Sequence, residues 1–182
     1  TRTRPGLPQV ARIEPLAMAP SLCKAFDERM RLVYTGQRRL AKDLLRAMMG
    51  RYMARDPEIV AMLQDIGELA VAMRDALAQE DLDTFGVLID QHWQINKRMD
   101  PDSTNLFIDD LLSFCGPYMI GCKLAGAGGG GFAIVVASDN DAAEALQKAL
   151  AKRFISGNVG VWPCAIAEPG MTTAMSEQVS LP

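Results

Sequence analysis

The stretch of this sequence best suited to chemistry is a block of glycines in the second half of the chain. Residues 123–138 read KLAGAGGGGFAIVVAS, with five glycines and one alanine between Leu124-Ala125 and an apolar run. Glycine loses more backbone freedom on folding than any other residue, so a block of it needs a physical reason. Successive glycine N–H groups can converge on an anion, and glycines also let a neighbouring segment approach the backbone. The residues alone support the anion site and the packing surface equally.

Two familiar nucleotide-binding loops share part of this spacing, and the residues that follow exclude both. Gly126, Gly128 and Gly131 satisfy GxGxxG, but the dinucleotide fingerprint needs a helix after the loop, and FAIVV predicts a strand. Phe132 and Ala133 stand where a P-loop needs Lys and then Ser or Thr. A slack linker is disfavoured, because the apolar runs on both sides predict strands of one sheet. We therefore expect a tight loop whose backbone approaches another group.

The first half of the chain is predicted to contain two strands and then four helices. VARIEPLAM (10–18) and ERMRLVY (28–34) indicate strands, with an irregular APSLCKAFD between them. Apolar residues at helical spacing then follow, together with capping residues and breakers. They predict helices from Gln37 to Met53, from the Asp56-Pro57-Glu58 start through Leu77, from Asp81 to about Lys97, and from a cap at Asp102 or Ser103 to Gly116-Pro117.

The second half predicts a hairpin, one helix and a last strand. YMIGCKLA and FAIVVA flank the glycines too closely for a helical crossover, so they should pair. Ser138-Asp139 predicts the cap of a helix that ends near Gly157, and VGVWPCAIA predicts a strand whose Pro163 favours an edge or a bulge. Because strands and helices are grouped, the order predicts an α+β fold, a largely antiparallel sheet packed with about four to five helices. Thr35-Gly36 is expected to end a strand and cap the next helix.

Composition limits the organisation and the partners. The chain has 182 residues, is 49% hydrophobic and carries a net charge of -3. We expect a flexible lead-in over 1–9, one domain over 10–170 and a polar tail over 171–182. No basic face and no long apolar run is present, so we expect no nucleic-acid partner, no membrane partner and a cytoplasmic location. Four cysteines without ligand spacing and a single histidine, His92, predict reduced thiols and no metal site. A hydrogen-bonded, partly buried His92 is favoured over a catalytic one.

Three ordered segments resemble the GHMP kinases, the family of galacto-, homoserine, mevalonate and phosphomevalonate kinases. They are LVYTGQRRLAKDLL (32–45), HWQINKRMDPDS (92–103) and KLAGAGGGGFAIVV (123–136), and the likeness covers roughly residues 10–168. Their order and spacing are most similar to the L-fucokinase branch, which includes the kinase half of bifunctional fucokinase/GDP-fucose pyrophosphorylases. The D-glycero-D-manno-heptose phosphate kinase branch shares the YTG and KLxGAGGGGF elements.

The resemblance implies a sugar kinase that uses ATP and Mg²⁺ to phosphorylate an anomeric hydroxyl. It implies a C-terminal domain with a ferredoxin-like core, whose glycine loop lies at the cleft between two halves. The implied ATP and phosphate ligands are Gly126, Ala127, Gly128, Gly129, Gly130, Gly131 and Lys123, where Lys123 could instead be a solvated strand-edge residue. Lys97, Asp100 and Asp102 are sugar-contact candidates because they occupy the run-out of the third helix. Asp100-Pro101-Asp102 is also good turn and cap chemistry, so a mixed role is open.

The sequence lacks other parts of the family's active site. The main phosphate-binding motif, a proline-containing stretch leading into Gly-Leu-Gly-Ser-Ser, has no counterpart here, and neither has the N-terminal catalytic acid or phosphate-binding lysine. We therefore expect half an enzyme that is inactive alone, whose partners are its own N-terminal kinase domain and a small sugar. The general base is unknown and is expected in the N-terminal half. The alternatives are a heptose-phosphate kinase of this family and a non-catalytic binding module on a degenerate kinase scaffold.

Overall fold

A computed structural model describes residues 2–3, 11–12, 15–37, 42–126, 128–155 and 158–166. These residues contain helices and a main antiparallel sheet, which confirms the predicted α+β class. The helices are α1 Pro20–Arg29, α2 Lys42–Met53, α3 Pro57–Ala78, α4 Leu82–Met99, α5 Leu106–Cys115 and α6 Asn140–Arg153. The strands are β1 Arg2–Thr3, β2 Ala11–Arg12, β3 Met30–Tyr34, β4 Met119–Leu124, β5 Phe132–Ala137 and β6 Gly160–Pro163.

The main sheet has the strand order β4-β5-β3-β6 and is antiparallel throughout, while β1 and β2 form a separate pair. The sequence β3, helices, β4, β5, α6, β6 with this order is the split βαβ arrangement, which confirms the ferredoxin-like core. The β4–β5 hairpin and the edge position of β6, which contains Pro163, are confirmed as well. The register pairs Tyr34 with Phe132 and Leu124 with Ala133. The glycine loop and the end of β3 therefore lie at the same end of the sheet.

Helices cover both faces of the sheet. Side chains alternate between the two faces along each strand, and the apolar ones on each face pack against helices. Val33 and Val135 pack with α5 and α6 in the largest buried cluster. Met30 and Val136, on the opposite face, pack with α1 and α4. A third cluster joins α3 to α4 without the sheet; it contains Ile59, Met62, Ile95 and Met99. The sheet thus lies between two helical layers, and α2 and α3 form an annex on α4.

The acidic helix starts that the sequence indicates are confirmed. Asp56 accepts the N–H of Glu58, Asp81 accepts that of Thr84, and Asp139 accepts that of Ala142. Each carboxylate satisfies an N–H that the helix itself leaves unpaired. Gly116 closes α5 as expected.

Two predictions near the N-terminus are wrong. The segment 10–18 is not one strand: among its described residues only Ala11–Arg12 is extended and paired, and residues 15–19 have no regular structure. The segment read as irregular contains α1, which begins with Pro20 and buries Leu22 and Phe26 one turn apart. Two apolar anchors give a weak periodic signal, and packing on the sheet decides the helix.

Two boundaries also differ from the prediction, and a third lies outside the described residues. The cap of α5 is Asn105, not Asp102 or Ser103, because residues 101–103 form a separate 3-10 turn. α6 ends at Arg153, before the predicted end near Gly157, which lies outside the described residues. The start of the helix predicted from Gln37, and with it the capping role of Thr35-Gly36, falls on residues 38–41, which the structure does not describe.

Two glycines allow α4 to lie against β4, and this contact gives the first prediction. A Cβ on Gly121 would collide with the carbonyl oxygen of Gly86, which is helical backbone that cannot easily move. We expect Gly121→Ala to lower the free energy of unfolding by about 3 kcal/mol, measured by urea denaturation. Gly67→Ala on α3 is the control, because nothing lies within 4 Å of its Cβ, and it should stabilise the chain by about 0.5–1 kcal/mol. Wild-type stability of Gly121→Ala would contradict this helix–sheet contact.

Candidate functional site

The glycine loop is a tight connection between β4 and β5. Its described glycines, Gly126 and Gly128 to Gly131, all have positive φ, with Gly128 at 95°. Residues with a side chain rarely adopt this conformation, which explains the concentration of glycine. Ala127 lies outside the described residues.

Backbone hydrogen bonds hold the loop on two sides. The N–H of Gly129 donates to the carbonyl oxygen of Ser103 at 2.5 Å, and the N–H of Gly131 donates to that of Gln37 at 2.9 Å. Thr35 donates to the carbonyl oxygen of Gly131 from its N–H at 2.8 Å and from its hydroxyl at 3.0 Å. A Cβ on Gly128 would lie 2.6 Å from the Ser103 carbonyl oxygen. The glycines therefore permit backbone to pack directly on backbone.

The amides of Gly128 and Gly130, next to these ties, have no partner among the described residues. No described residue offers a hydrogen-bond acceptor to the N–H of Gly128 or Gly130, although both residues are half-buried. The loop thus alternates between N–H groups that anchor it and N–H groups that are available. Such a pair of available amides on a positive-φ loop can bind an oxyanion such as a phosphate.

Lys123 lies on β4, three residues before the loop. Its Nζ donates to the carbonyl oxygen of Leu124 at 2.9 Å and approaches that of Gly126 at 3.5 Å. The side chain is half-buried, and this burial lowers the pKa of the ammonium. Lys123 thus lies on an edge strand but is only partly solvated, and its contact with phosphate stays a prediction. Its charge supports the first residues of the loop, where it also raises the local positive potential.

The turn between α4 and α5 is brought against the loop. The carboxylate of Asp100 accepts the N–H of Asp102 at 2.8 Å, and the N–H of Ser103 donates to the Asp100 carbonyl oxygen at 2.9 Å. Asn105 accepts the N–H of Ile108 and donates from its amide to Gln37 Oε1 at 2.8 Å. The turn-and-cap interpretation is thus correct for Asp100, which caps the 3-10 turn, and Asp102 lies within that turn. A contact of either with sugar stays a prediction.

The basic residues at the end of α4 face different surroundings. The Nζ of Lys97 lies 6.0 Å from the centroid of the Trp93 ring, a cation–π approach. Arg98 instead lines a groove of about 460 Å³ between α3 and α4, together with Asp65 and Glu68. His92 is half-buried, and its pKa is lowered by that burial and by the positive charge of Lys123.

Four polar residues of the site escaped the sequence-based candidate set: Thr35, Gln37, Ser103 and Asn105. Thr35 and Ser103 belong to the YTG and DPDS segments, so the resemblance did point to their neighbourhood. Their partners are loop or turn residues distant in sequence, and the pairing depends on the sheet register. Neither periodicity nor spacing could have revealed it.

Known proteins resemble the part of this chain that forms the site. Residues 73–156 match the family model described as GHMP kinases C terminal, which spans α4, the turn, α5 and the glycine hairpin. The chain contains a GHMP kinase C-terminal domain. It is 36% identical over 150 residues to the bifunctional fucokinase/GDP-fucose pyrophosphorylase of Arabidopsis thaliana, covering 82% of this chain and 14% of that protein.

Two further proteins are similar to this GHMP kinase domain, one in sequence and one in fold. The chain is 30% identical over 119 residues to the L-fucokinase/L-fucose-1-P guanylyltransferase of Bacteroides fragilis, covering 65% of this chain and 12% of that protein. It therefore spans only a small part of the curated relatives it matches. The crystal structure of L. major mevalonate kinase in complex with R-mevalonate shares the fold, with a TM-score of 0.67 and 20% identity over 84% of this chain and 46% of that one.

The described residues contain neither a membrane-spanning helix nor a cluster of metal ligands. None of the helices there combines the length and the apolar character that crossing a membrane requires. In the same part of the chain, no three His, Cys, Asp or Glu side chains are grouped as metal ligands.

The contact between Gly128 and Ser103 predicts unequal effects of alanine within the loop. Gly128→Ala adds both a strained positive φ and a collision with the Ser103 backbone, so we expect it to cost about 3 kcal/mol of unfolding free energy. Gly131→Ala has the same φ problem, with φ at 84°, but nothing lies within 4 Å of its Cβ. It should cost about 1–2 kcal/mol. Urea denaturation of both variants measures the difference, and equal losses would argue against the close approach.

His92 gives a pH prediction, since it is the single histidine of the chain. Its pKa in the folded protein should lie below 6.5, as followed by the NMR shift of its ring protons. The unfolded chain then binds a proton at higher pH than the folded chain does, so stability falls as the pH drops through the window below 6.5. Lys123→Met should raise the pKa of His92 only in part, because burial is the larger cause. Lys148→Met, an exposed control on α6, should leave it unchanged, and a His92 pKa above 6.5 would contradict the burial.

Proposed function

We propose that this chain is the C-terminal half of an ATP-dependent L-fucokinase, which transfers the γ-phosphoryl group of ATP to the anomeric hydroxyl and yields a sugar 1-phosphate. The names of both curated relatives include fucokinase activity, and the sequence segments that resemble this branch are those that meet at the glycine loop.

The observation that carries the proposal is the pair of available amides at Gly128 and Gly130. Gly129 and Gly131 are tied to the protein, so the N–H groups of Gly128 and Gly130 are kept close together in the loop before a ligand arrives. Phosphoryl transfer depends chiefly on positioning and on stabilisation of charge, and prearranged N–H donors supply both. Lys123 adds positive charge at the start of the loop. ATP phosphates therefore fit these residues.

Mg²⁺ fits the proposal as a companion of the nucleotide. The described residues hold no group of three metal-ligating side chains, and Mg²⁺ in kinases is commonly bound by substrate phosphates with one or two carboxylates. We expect the ion to arrive on ATP and to receive its carboxylate from the N-terminal half. Bound there, it would neutralise charge on the transferred phosphoryl group.

The rest of the active site is assigned to an N-terminal kinase domain that docks beside the loop. Leu106, directly after Asn105, is 90% exposed, and Phe132 and Trp162 at the loop end of the sheet are 40% and 48% exposed. Apolar side chains grouped around a polar site are typical of a surface that a partner covers. The four free cysteines favour a reducing compartment, so we assign the enzyme to the cytoplasm.

Kinase assays on two proteins test this function. The 182-residue chain alone should show no sugar phosphorylation and at most weak Mg-ATP binding by calorimetry, because half of the phosphate site is missing. The complete protein that carries this chain should phosphorylate L-fucose.

Three outcomes would correct the proposal. Micromolar ATP affinity or turnover by the chain alone would refute the half-enzyme interpretation. Turnover of a heptose phosphate in place of fucose would assign the protein to the neighbouring branch. A complete protein that is inactive on every sugar would favour the binding module.

A further inference from the structure

Ser103 is buried where the turn meets the glycine loop, and its hydroxyl forms no hydrogen bond with a described residue. The residue is 1% exposed, and no described atom forms a hydrogen bond with its Oγ. Its backbone is fully engaged: the N–H donates to Asp100 and the carbonyl oxygen accepts the N–H of Gly129. The hydroxyl of Ser103 is therefore unpaired, whereas its backbone N–H and carbonyl oxygen both form hydrogen bonds.

An unpaired buried hydroxyl is unusual, because burial removes the water that would otherwise pair with it. The neighbouring hydroxyl shows the ordinary outcome, since Thr104 Oγ1 donates to the carboxylate of Asp109 at 2.8 Å. An alanine at position 103 would fill the same space without a polar group that needs a partner. The free hydroxyl therefore penalises the arrangement seen here relative to any arrangement that pairs it.

The segment able to supply a partner is the glycine loop. An ideal Cβ on Gly128 would lie 2.9 Å from Ser103 Cβ, so the Gly128 backbone passes directly over the serine side chain. Glycine peptides reorient at low steric cost, and each carries a carbonyl oxygen that a hydroxyl can pair with. The Gly128 carbonyl group cannot serve, because it shares a peptide with the Gly129 N–H that donates to Ser103. The Gly129 carbonyl group, in the next peptide, is therefore the one that a small rotation can bring to Ser103.

We propose that Ser103 is a positioning residue for the glycine loop, whose hydroxyl donates to a loop carbonyl oxygen only in the phosphate-bound arrangement. This inference rests on the proposed function, in which a phosphate draws on the N–H groups of Gly128 and Gly130. The Gly130 N–H shares a peptide with the Gly129 carbonyl group, so drawing that N–H outward turns the Gly129 carbonyl oxygen inward, toward the serine. Phosphate binding then ends the penalty on Ser103, so the two events favour each other.

The consequence is opposite for the free and the bound protein. Ser103→Ala removes a penalty from the free protein, so its stability should be unchanged or higher. The same change removes a hydrogen bond from the bound protein, so the KM for Mg-ATP should rise about tenfold, the effect of one lost hydrogen bond to a buried partner. A hydroxyl with only a structural role would lower stability and leave the KM in place.

The test uses the complete protein that carries this chain, with sugar kinase kinetics and thermal melting with and without Mg-ATP. The variants are Ser103→Ala and, as a matched control, Ser113→Ala, which alters an exposed serine on α5. We expect the control to equal wild type in both measurements. We expect Ser103→Ala to melt no earlier than wild type without ligand, to gain less from Mg-ATP, and to show the raised KM.

Each other result is decisive. An unchanged KM for Mg-ATP in Ser103→Ala, with wild type active, would overturn the positioning role and leave the proposed kinase function standing. Earlier melting of the ligand-free Ser103→Ala would show that the hydroxyl is paired in the free protein and would overturn it too. A wild-type protein that neither binds nor uses Mg-ATP would refute the proposed function, and this inference with it.

Discussion

The architecture of this domain depends on backbone approaching backbone at the glycine loop. The N–H of Gly129 reaches the Ser103 carbonyl oxygen, and the N–H of Gly131 reaches that of Gln37. A side chain at Gly128 or Gly130 would fall within 2.8 Å of one of these carbonyl oxygens. Because both ties run through main-chain atoms, they hold Gly129 and Gly131 in place, while the peptide that joins Gly129 to Gly130 is able to rotate between them.

The remainder of the fold brings three distant segments to this point. The antiparallel register places the end of β3 beside the start of β5, so Thr35 and Gln37 meet the loop. α4 lies close against β4 through Gly86 and Gly121, and its C-terminal end delivers the turn with Ser103. Helical layers on both faces keep the sheet rigid. The proposed phosphate site is made of backbone and needs this support, because main-chain donors act at the geometry that the scaffold imposes.

Electrostatics at the site are mild in the described part of the chain. Lys123 supplies a half-buried positive charge that also lowers the pKa of His92. The carboxylate of Asp100 accepts a hydrogen bond from the adjoining turn. A transferase that must stabilise a developing phosphoryl charge needs more than this. The shortage agrees with the proposed function, in which an N-terminal kinase domain supplies the other charges of the active site.

The sequence by itself determined the features that depend on local chemistry. The glycine block, the acidic caps Asp56, Asp81 and Asp139 and the β4–β5 hairpin follow from φ limits, N–H satisfaction and loop length, and the family resemblance rests on segments that are contiguous. Only the tertiary structure decided α1, the cap at Asn105 and the contacts of Ser103. α1 has too few apolar anchors to stand out before packing, and the Ser103–Gly129 pair joins residues whose proximity arises from sheet register and helix docking. Long-range contacts of that kind leave no periodic trace in the chain.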